Sequence, residues 1–190
     1  MVIMRLLSPK HQNGGALLEV LITIVILAIG LLGLAGLQMR LQVSEMESYQ
    51  RAQALILLND MASRISANRY AAADYITASA LGAGMACPTS TSTQQARDVS
   101  EWCNALQGAA ETSGVNNVGA MIGGRGCVES LGSSEYMITV AWQGLVPVSA
   151  PPISVTCGQN QYNAAGAGAQ CVNDLCRRVV TTIVRIATLT

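Results

Sequence analysis

A long apolar run near the amino terminus dominates the hydrophobic pattern of this chain. Residues 16–37 contain only two polar side chains, Glu19 and Thr23, and a short segment with Arg5 and Lys10 precedes them. About 20 apolar residues are enough for a helix that crosses a bilayer, and flanking positive charges favour the cytoplasmic side. The pattern predicts a transmembrane helix over 16–37, with the N-terminus in the cytoplasm and the rest of the chain outside it.

The helical pattern continues beyond the apolar run. We expect one helix over 15–68, about 80 Å long at 1.5 Å per residue, whose outer half packs on a globular head over 69–190. Two acid–base pairs at a spacing of four residues, Glu47/Arg51 and Asp60/Arg64, support this helix. Apart from that pairing, we expect Arg64 and Arg69 to be solvated charges on the helix surface. Four apolar residues recur on one helical face: Ala54, Leu58, Met61 and Ile65.

The head shows the patterns of short strands. Apolar residues alternate over 136–142, which predicts one strand, and a longer strand is expected over 177–188. Ile153 and Val155 indicate a further strand. Glycines over 114–126 predict a loop. Together with the long helix, these strands predict an α+β domain with an antiparallel sheet packed on the helix.

One short helix is expected within the head. Asp98, with Glu101 three residues later, predicts a helix start with Asp98 as the N-cap. One face of a helix that ends near Gly108 would then be lined by four residues: Val99, Trp102, Cys103 and Leu106.

The cysteines indicate an oxidising compartment. The chain of 190 residues contains six cysteines, all between residues 87 and 176. An even number of cysteines after an N-terminal segment typical of exported proteins is the usual pattern of a disulfide-bonded domain. No C-x-x-C pair occurs, so disulfides are expected rather than a zinc or thioredoxin-type site. A bridge between Cys157 and Cys176, across a hairpin, is one expected pairing among 15 possible connectivities. The disulfide candidates are Cys87, Cys103, Cys127, Cys157, Cys171 and Cys176.

Composition limits the chemistry of the head. Lys10 and His11 are the only lysine and histidine, and only 12% of residues are charged, with a net charge of zero. This excludes His-based catalytic triads and Schiff-base lysines beyond residue 14. We expect no catalytic residues, metal or cofactor. Nucleic acid is not an expected partner, because Arg177 and Arg185 lie on the opposite strand face from Arg178.

The junction between the basic segment and the apolar run allows three interpretations. An ordinary signal peptide would be cleaved after the small-x-small site 33–35, although the apolar run is long for one. A plain membrane anchor would not be cleaved. The third interpretation places the processing site before the apolar run, at Gly14 and Gly15, so that the run is retained.

This junction resembles the class III leader of type IV prepilins, in which a glycine precedes an apolar stretch with a glutamate. The best register places the cut between Gly14 and Gly15, which makes Glu19 the fifth mature residue. Gly15 departs from the Phe or Met that the family prefers at the first mature position. The segments IGLLGLAGLQ (29–38) and DMASRISANR (60–69) are similar to those of PilV-type minor pilins.

The resemblance implies the pilin fold and a division of the chain into three parts. Residues 1–14 would be the leader peptide, 15–68 the long helix and 69–190 a disulfide-containing head. It also implies cleavage by an inner-membrane prepilin peptidase, N-methylation of Gly15, and an assembly contact made by Glu19.

The implied function is that of a non-enzymatic minor pilin. It would work with other minor pilins and the major pilin to prime the type IV pilus, which supports twitching motility and adhesion. The head would be periplasmic while the helix sits in the inner membrane, and the protein would then enter an extracellular pilus. The alternatives are a pseudopilin of type II secretion and a membrane-tethered binding protein or enzyme.

Overall fold

The computed structural model describes residues 15–109, 112–114, 116–117 and 121–187. The chain divides into two compact units, Met1–Ser44 and Glu45–Thr190. The described part of the first unit is helical throughout, and its large apolar side chains are exposed. An 18-residue window of this helix, with a mean hydropathy of 2.8, has the length and composition to cross a membrane.

The long helix α1 extends over Gly15–Ala67, close to the predicted bounds. Within the second unit, one face of α1 is buried against the head. Six residues of α1 are buried: Gln50, Ala54, Leu57, Leu58, Met61 and Ile65. They include all four residues of the predicted face, which confirms the prediction from helical periodicity. A 3₁₀ segment over Arg69–Tyr75 follows.

Helix α2 extends over Gln94–Leu106 and begins earlier than expected. Its N-cap is Thr93, whose hydroxyl accepts a hydrogen bond from the Ala96 amide at 3.0 Å. The assignment of Asp98 as the N-cap is therefore wrong, because Thr93, five residues before Asp98, already caps the first turn. Asp98 instead lies inside the helix, on its buried side.

The sheet is antiparallel, with strand order β1-β4-β5-β6. Its strands are β1 (Leu81–Gly82), β4 (Arg125–Gly132), β5 (Glu135–Gln143) and β6 (Arg177–Arg185). A separate two-stranded pair joins β2 (Thr112–Ser113) to β3 (Asn116–Asn117). The α+β prediction is confirmed, as are the strands at 136–142 and, up to Arg185, at 177–188; residue 188 lies outside the described residues.

Two predictions about the strands are wrong. Residues 153–156 form a turn and irregular chain rather than a strand, and Ile153 is 88% exposed, so its apolar character does not mark a sheet position. The predicted loop over 114–126 ends within β4, which begins at Arg125. Its sequence RGCVESLG lacks a strict apolar alternation because Gly126, which faces the core, has no side chain and leaves room there for the Trp102 ring.

The two faces of the sheet have different partners. Val128, Ile138 and Val140 are fully buried on the face that meets α1 and α2, in one core with Trp102 and Leu106. The opposite face carries a smaller cluster, in which the segment after Pro152 packs against β4 and β5: Cys127, Ala141, Cys157 and Tyr162.

The six cysteines form three disulfides, as the sequence analysis expects of an oxidised head. The pairs are Cys87–Cys103, Cys127–Cys157 and Cys171–Cys176. The expected Cys157–Cys176 bridge is wrong, because no hairpin joins these residues. Cys157 lies instead over β4, with its Cα atom 5.8 Å from that of Cys127.

Candidate functional site

The amino-terminal part of α1 carries the candidate assembly residues. Gly14 lies outside the described residues, and Gly15 is the first residue of the helix. Glu19 is one turn later, about 6 Å along the axis, and its side chain is exposed. No other acid occurs over residues 15–44.

Thr23 provides a contrast with Glu19 within the same apolar stretch. Its hydroxyl donates a hydrogen bond to the Val20 carbonyl at 2.8 Å, so the helix itself satisfies this polar group. In the part of the chain that the structure describes, Glu19 makes no side-chain hydrogen bond or ion pair. A carboxylate at membrane depth is costly without a partner, and the positive end of the helix dipole lies beside it. Glu19 is therefore a carboxylate that a cationic group of another molecule would stabilise.

A second candidate site is an ion-pair cluster at the outer end of α1. Arg64 donates hydrogen bonds to Asp60 at 2.9 Å, to Asp98 at 2.9 Å and to Glu101 at 2.7 Å. The Arg64 side chain is only 24% exposed. The predicted Asp60–Arg64 pair is confirmed, but the expectation that Arg64 is a solvated charge is wrong, because α2 supplies two more carboxylates.

Asp98 is the buried centre of this cluster. Besides Arg64, it accepts hydrogen bonds from Gln94 at 2.8 Å and from the Tyr75 hydroxyl. Burial by itself would raise the pKa of Asp98, but the bonds from Tyr75, Gln94 and Arg64 outweigh burial and hold this pKa below its usual value. Burial, together with the bond to Asp98, raises the pKa of Tyr75 to about 12. The cluster thus ties the end of α1 to α2 and to the 3₁₀ segment.

Glu47 of α1 has a different partner from the predicted one. Its carboxylate accepts hydrogen bonds from Arg178 of β6 at 3.2 Å and from the Leu145 amide at 2.9 Å. The predicted pair with Arg51 is therefore wrong. Nearby, the Gln50 side chain accepts a hydrogen bond from the Ile122 amide at 3.2 Å. These polar contacts attach α1 to the far end of the sheet.

The three arginines of β6 do not form an open basic patch. Arg177 is 1% exposed and lies 3.1 Å from the Asp174 carboxylate, while Arg178 pairs with Glu47 and Arg185 with Glu135. Each positive charge therefore has its own carboxylate. Within the described residues, no group of three or more His, Cys, Asp or Glu side chains is placed to hold a metal ion.

Sequence reasoning missed the roles of Asp98 and Tyr75. Asp98 accepts hydrogen bonds from Arg64, which is 34 residues away along the chain, and from Tyr75, which is 23 residues away, and no periodic pattern connects residues at those separations. One local signal was present, because Gln94 and Asp98 are four residues apart and face each other on a helix.

Comparison with known proteins gives one family match. Residues 9–35 match the family described as "Prokaryotic N-terminal methylation motif". No curated protein matches the chain significantly, and no solved structure does. The matched segment contains the junction Gly14–Gly15 and Glu19. It supports a subunit of the type IV pilin or pseudopilin type, which is a structural class, and together with the apolar helix it supports membrane anchoring and processing by a prepilin peptidase.

Proposed function

We propose that this protein is a minor pilin of the PilV type, which joins other minor pilins to prime the type IV pilus. Residues 1–14 are removed as a leader, and the mature protein begins with N-methylated Gly15. The long helix then anchors the protein in the inner membrane with residues 69–190 in the periplasm, until it enters the pilus. Twitching motility and adhesion are the processes it serves.

The observation that carries the proposal is the methylation motif over residues 9–35. It falls across the point where a basic segment meets a helix that starts at Gly15. In a bundle of such helices, the carboxylate of Glu19 is placed to meet the free amine of a neighbouring Gly15, because each helix begins with a positive dipole end. That pairing would remove the cost of a lone charge in the membrane.

The outer end of α1 supports the pilus assignment over the alternatives. The segment DMASRISANR, which resembles PilV-type minor pilins, contains Asp60 and Arg64, and both belong to the ion-pair cluster that fixes α2 to α1. The resemblance therefore includes residues that hold the head together, beyond the leader that pilins and pseudopilins share.

N-terminal sequencing and intact-mass measurement of the exported protein test the proposal. The expected first residue is N-methyl-Gly15, whereas Gly36 would establish cleavage by signal peptidase and an intact leader would establish a plain anchor. Two matched variants sharpen the result. Gly14→Val should block processing because it places a bulky side chain at the scissile bond, and Ala35→Leu, at the alternative site, should leave processing unchanged.

Deletion of the gene distinguishes the pilus from type II secretion. A minor pilin predicts loss of surface pili and of twitching, with protein secretion retained. The opposite pattern, normal twitching with failed secretion, would assign the protein to the pseudopilins.

A further inference from the structure

A polar cavity opens on the outer face of the sheet, away from α1. Its volume is about 480 Å³, within the range of about 300–1,000 Å³ that small-molecule sites occupy. Its walls are the segment 77–85 before and after β1 and the segment 156–161 beyond the Cys127–Cys157 disulfide. Its floor is formed by the outward side chains of β4, which alternate along the strand: Arg125, Cys127 and Glu129.

Arg125 supplies a positive charge at one end of this floor. Its guanidinium lies 5.0 Å from the centre of the Tyr162 ring, and its Nη1 donates to the Gly123 carbonyl at 3.2 Å. These contacts hold the side chain in place. Among the described residues, no hydrogen bond involves its Nε or Nη2, so a planar pair of donors remains for an incoming carboxylate.

Glu129 supplies a negative charge four residues further along the same strand face. Its Oε1 accepts a hydrogen bond from the Thr156 hydroxyl at 2.7 Å. Its Oε2 is shielded from solvent and has no hydrogen-bond partner among the described residues. A shielded carboxylate oxygen without a partner is rare in folded proteins, because it has lost water without gaining a hydrogen bond. A ligand in the cavity reaches this oxygen once the carboxylate rotates about its terminal torsion, which is broad.

The walls add uncharged polar groups between the two charges. Gln159, Gln161 and Ser79 line the cavity, and in the part of the chain that the structure describes their side chains make no hydrogen bonds. Amide side chains pair well with peptide groups, since each offers donors and an acceptor. Among the residues that the structure describes, no aromatic ring lines the cavity, so these walls offer no flat apolar surface on which a sugar ring would stack.

We propose that this cavity binds a short peptide with free ends, whose carboxylate meets Arg125 and whose ammonium group meets Glu129. Four residues along a strand separate the two Cα atoms by about 13 Å, and an extended tripeptide spans about 10 Å. The side chains of Arg125 and Glu129 reach over the remaining distance. This site is independent of the proposed pilus function and of the N-terminal processing.

Calorimetric titration of the full chain in detergent micelles tests the proposal, with triglycine as the probe. N-acetyl-triglycine amide, which has the same length and no charged ends, is the matched ligand control. We expect triglycine to bind at least tenfold more tightly than the blocked peptide. Equal affinity for the two peptides would overturn the proposal. So would the absence of triglycine binding at about 10 mM, which is roughly the weakest dissociation constant that the titration can measure.

Variants place the binding in this cavity. Glu129→Gln keeps the acceptor for Thr156 and removes the charge, so it should weaken triglycine binding at least tenfold. Ser79→Trp, at an exposed wall position, should block the cavity without entering the core. Arg185→Gln, an exposed arginine of the same sheet, is the control and should bind as the wild type does.

Two further outcomes would contradict the assignment. Unchanged affinity in both Glu129→Gln and Ser79→Trp, each with an unaltered melting temperature, would place any binding elsewhere. Tighter binding of maltotriose than of triglycine would assign the cavity to saccharides instead of peptides.

Discussion

Arg64 of helix α1 donates a hydrogen bond to Asp98 of helix α2 at 2.9 Å, and Asp98 is almost completely buried. The two residues join elements that are far apart in the sequence. A buried carboxylate keeps its charge only where donors replace the water that it lost. Arg64, Gln94 and Tyr75 fill this role, so the end of the long helix and the head depend on one another.

Loss of Arg64 should destabilise the head. Arg64→Ala leaves Asp98 buried with its charge only partly compensated, and we expect the free energy of unfolding to fall by about 2–3 kcal/mol. Denaturation of the full chain in detergent micelles, followed by the fluorescence of the buried Trp102 and Trp142, measures this change. Arg69→Ala, at an exposed position, is the control and should stay within about 0.5 kcal/mol. A loss below about 1 kcal/mol for Arg64→Ala would mean that water screens the cluster.

The same cluster predicts an acid-dependent loss of stability. The pKa of Asp98 is lower in the folded protein than in the unfolded chain, because hydrogen bonds from Tyr75, Gln94 and Arg64 outweigh its burial. The unfolded state therefore takes up a proton first, at about pH 3.9. The stability that the ionised Asp98 contributes is present above this pH and is lost as the pH falls through the folded pKa.

The comparison of wild type with Asp98→Asn isolates this contribution, since the other carboxylates titrate in both proteins. The difference in free energy of unfolding should be constant between pH 5 and pH 7 and should shrink below about pH 4. Denaturant titrations at several pH values measure it. A difference that stays constant down to pH 2.5, well below the usual Asp value of about 3.9, would show that the Asp98 pKa is not involved.

Much of the fold could be predicted from the sequence because its signals are local. The buried stripe from Ala54 to Ile65 follows from helical periodicity, and β5 follows from the alternation of Tyr136, Ile138 and Val140. The sequence pattern does not predict β4, since its core-facing Gly126 has no side chain and no apolar alternation results. Ile153 was misassigned because an exposed apolar residue in a turn has the same local pattern as a strand residue.

The sequence could propose a candidate site only where the chemistry lies along one segment. Gly15 and Glu19 stand out because a lone acid in an apolar helix is rare. The partners of Arg64 and of Cys157 could not be predicted, since the choice among distant residues depends on how α2 and the segment after Pro152 pack. Cysteine spacing alone leaves 15 connectivities open.

The disulfides should contribute unequally to stability. Cys127–Cys157 closes a separation of 30 residues and Cys171–Cys176 one of 5. Chain-entropy arithmetic gives about 3.5 kcal/mol for the longer loop and about 2 kcal/mol for the shorter. In denaturant titrations, we expect the double variant Cys127→Ala/Cys157→Ala to be less stable than the matched double variant Cys171→Ala/Cys176→Ala. Equal losses of stability in the two double variants would contradict the loop-length argument.

Alkylation of the unfolded, unreduced wild type should label no cysteine, since all six are paired.

Replacement of Glu19 should separate processing from assembly. Glu19→Ala removes the acid from a stretch that is otherwise almost entirely apolar, so membrane insertion should become easier. Cleavage between Gly14 and Gly15 should still proceed, because the substitution lies beyond the cleavage site. Assembly should be weakened, because a neighbour's amine would be left without its carboxylate at membrane depth, at a cost of a few kcal/mol. Thr23→Val is the matched control, since the Thr23 hydroxyl is satisfied within its own helix. Immunoblots of sheared pili and of inner membranes measure the distribution. Processed Glu19→Ala protein should collect in the membrane, and a share in pili equal to that of Thr23→Val would show that Glu19 makes no assembly contact.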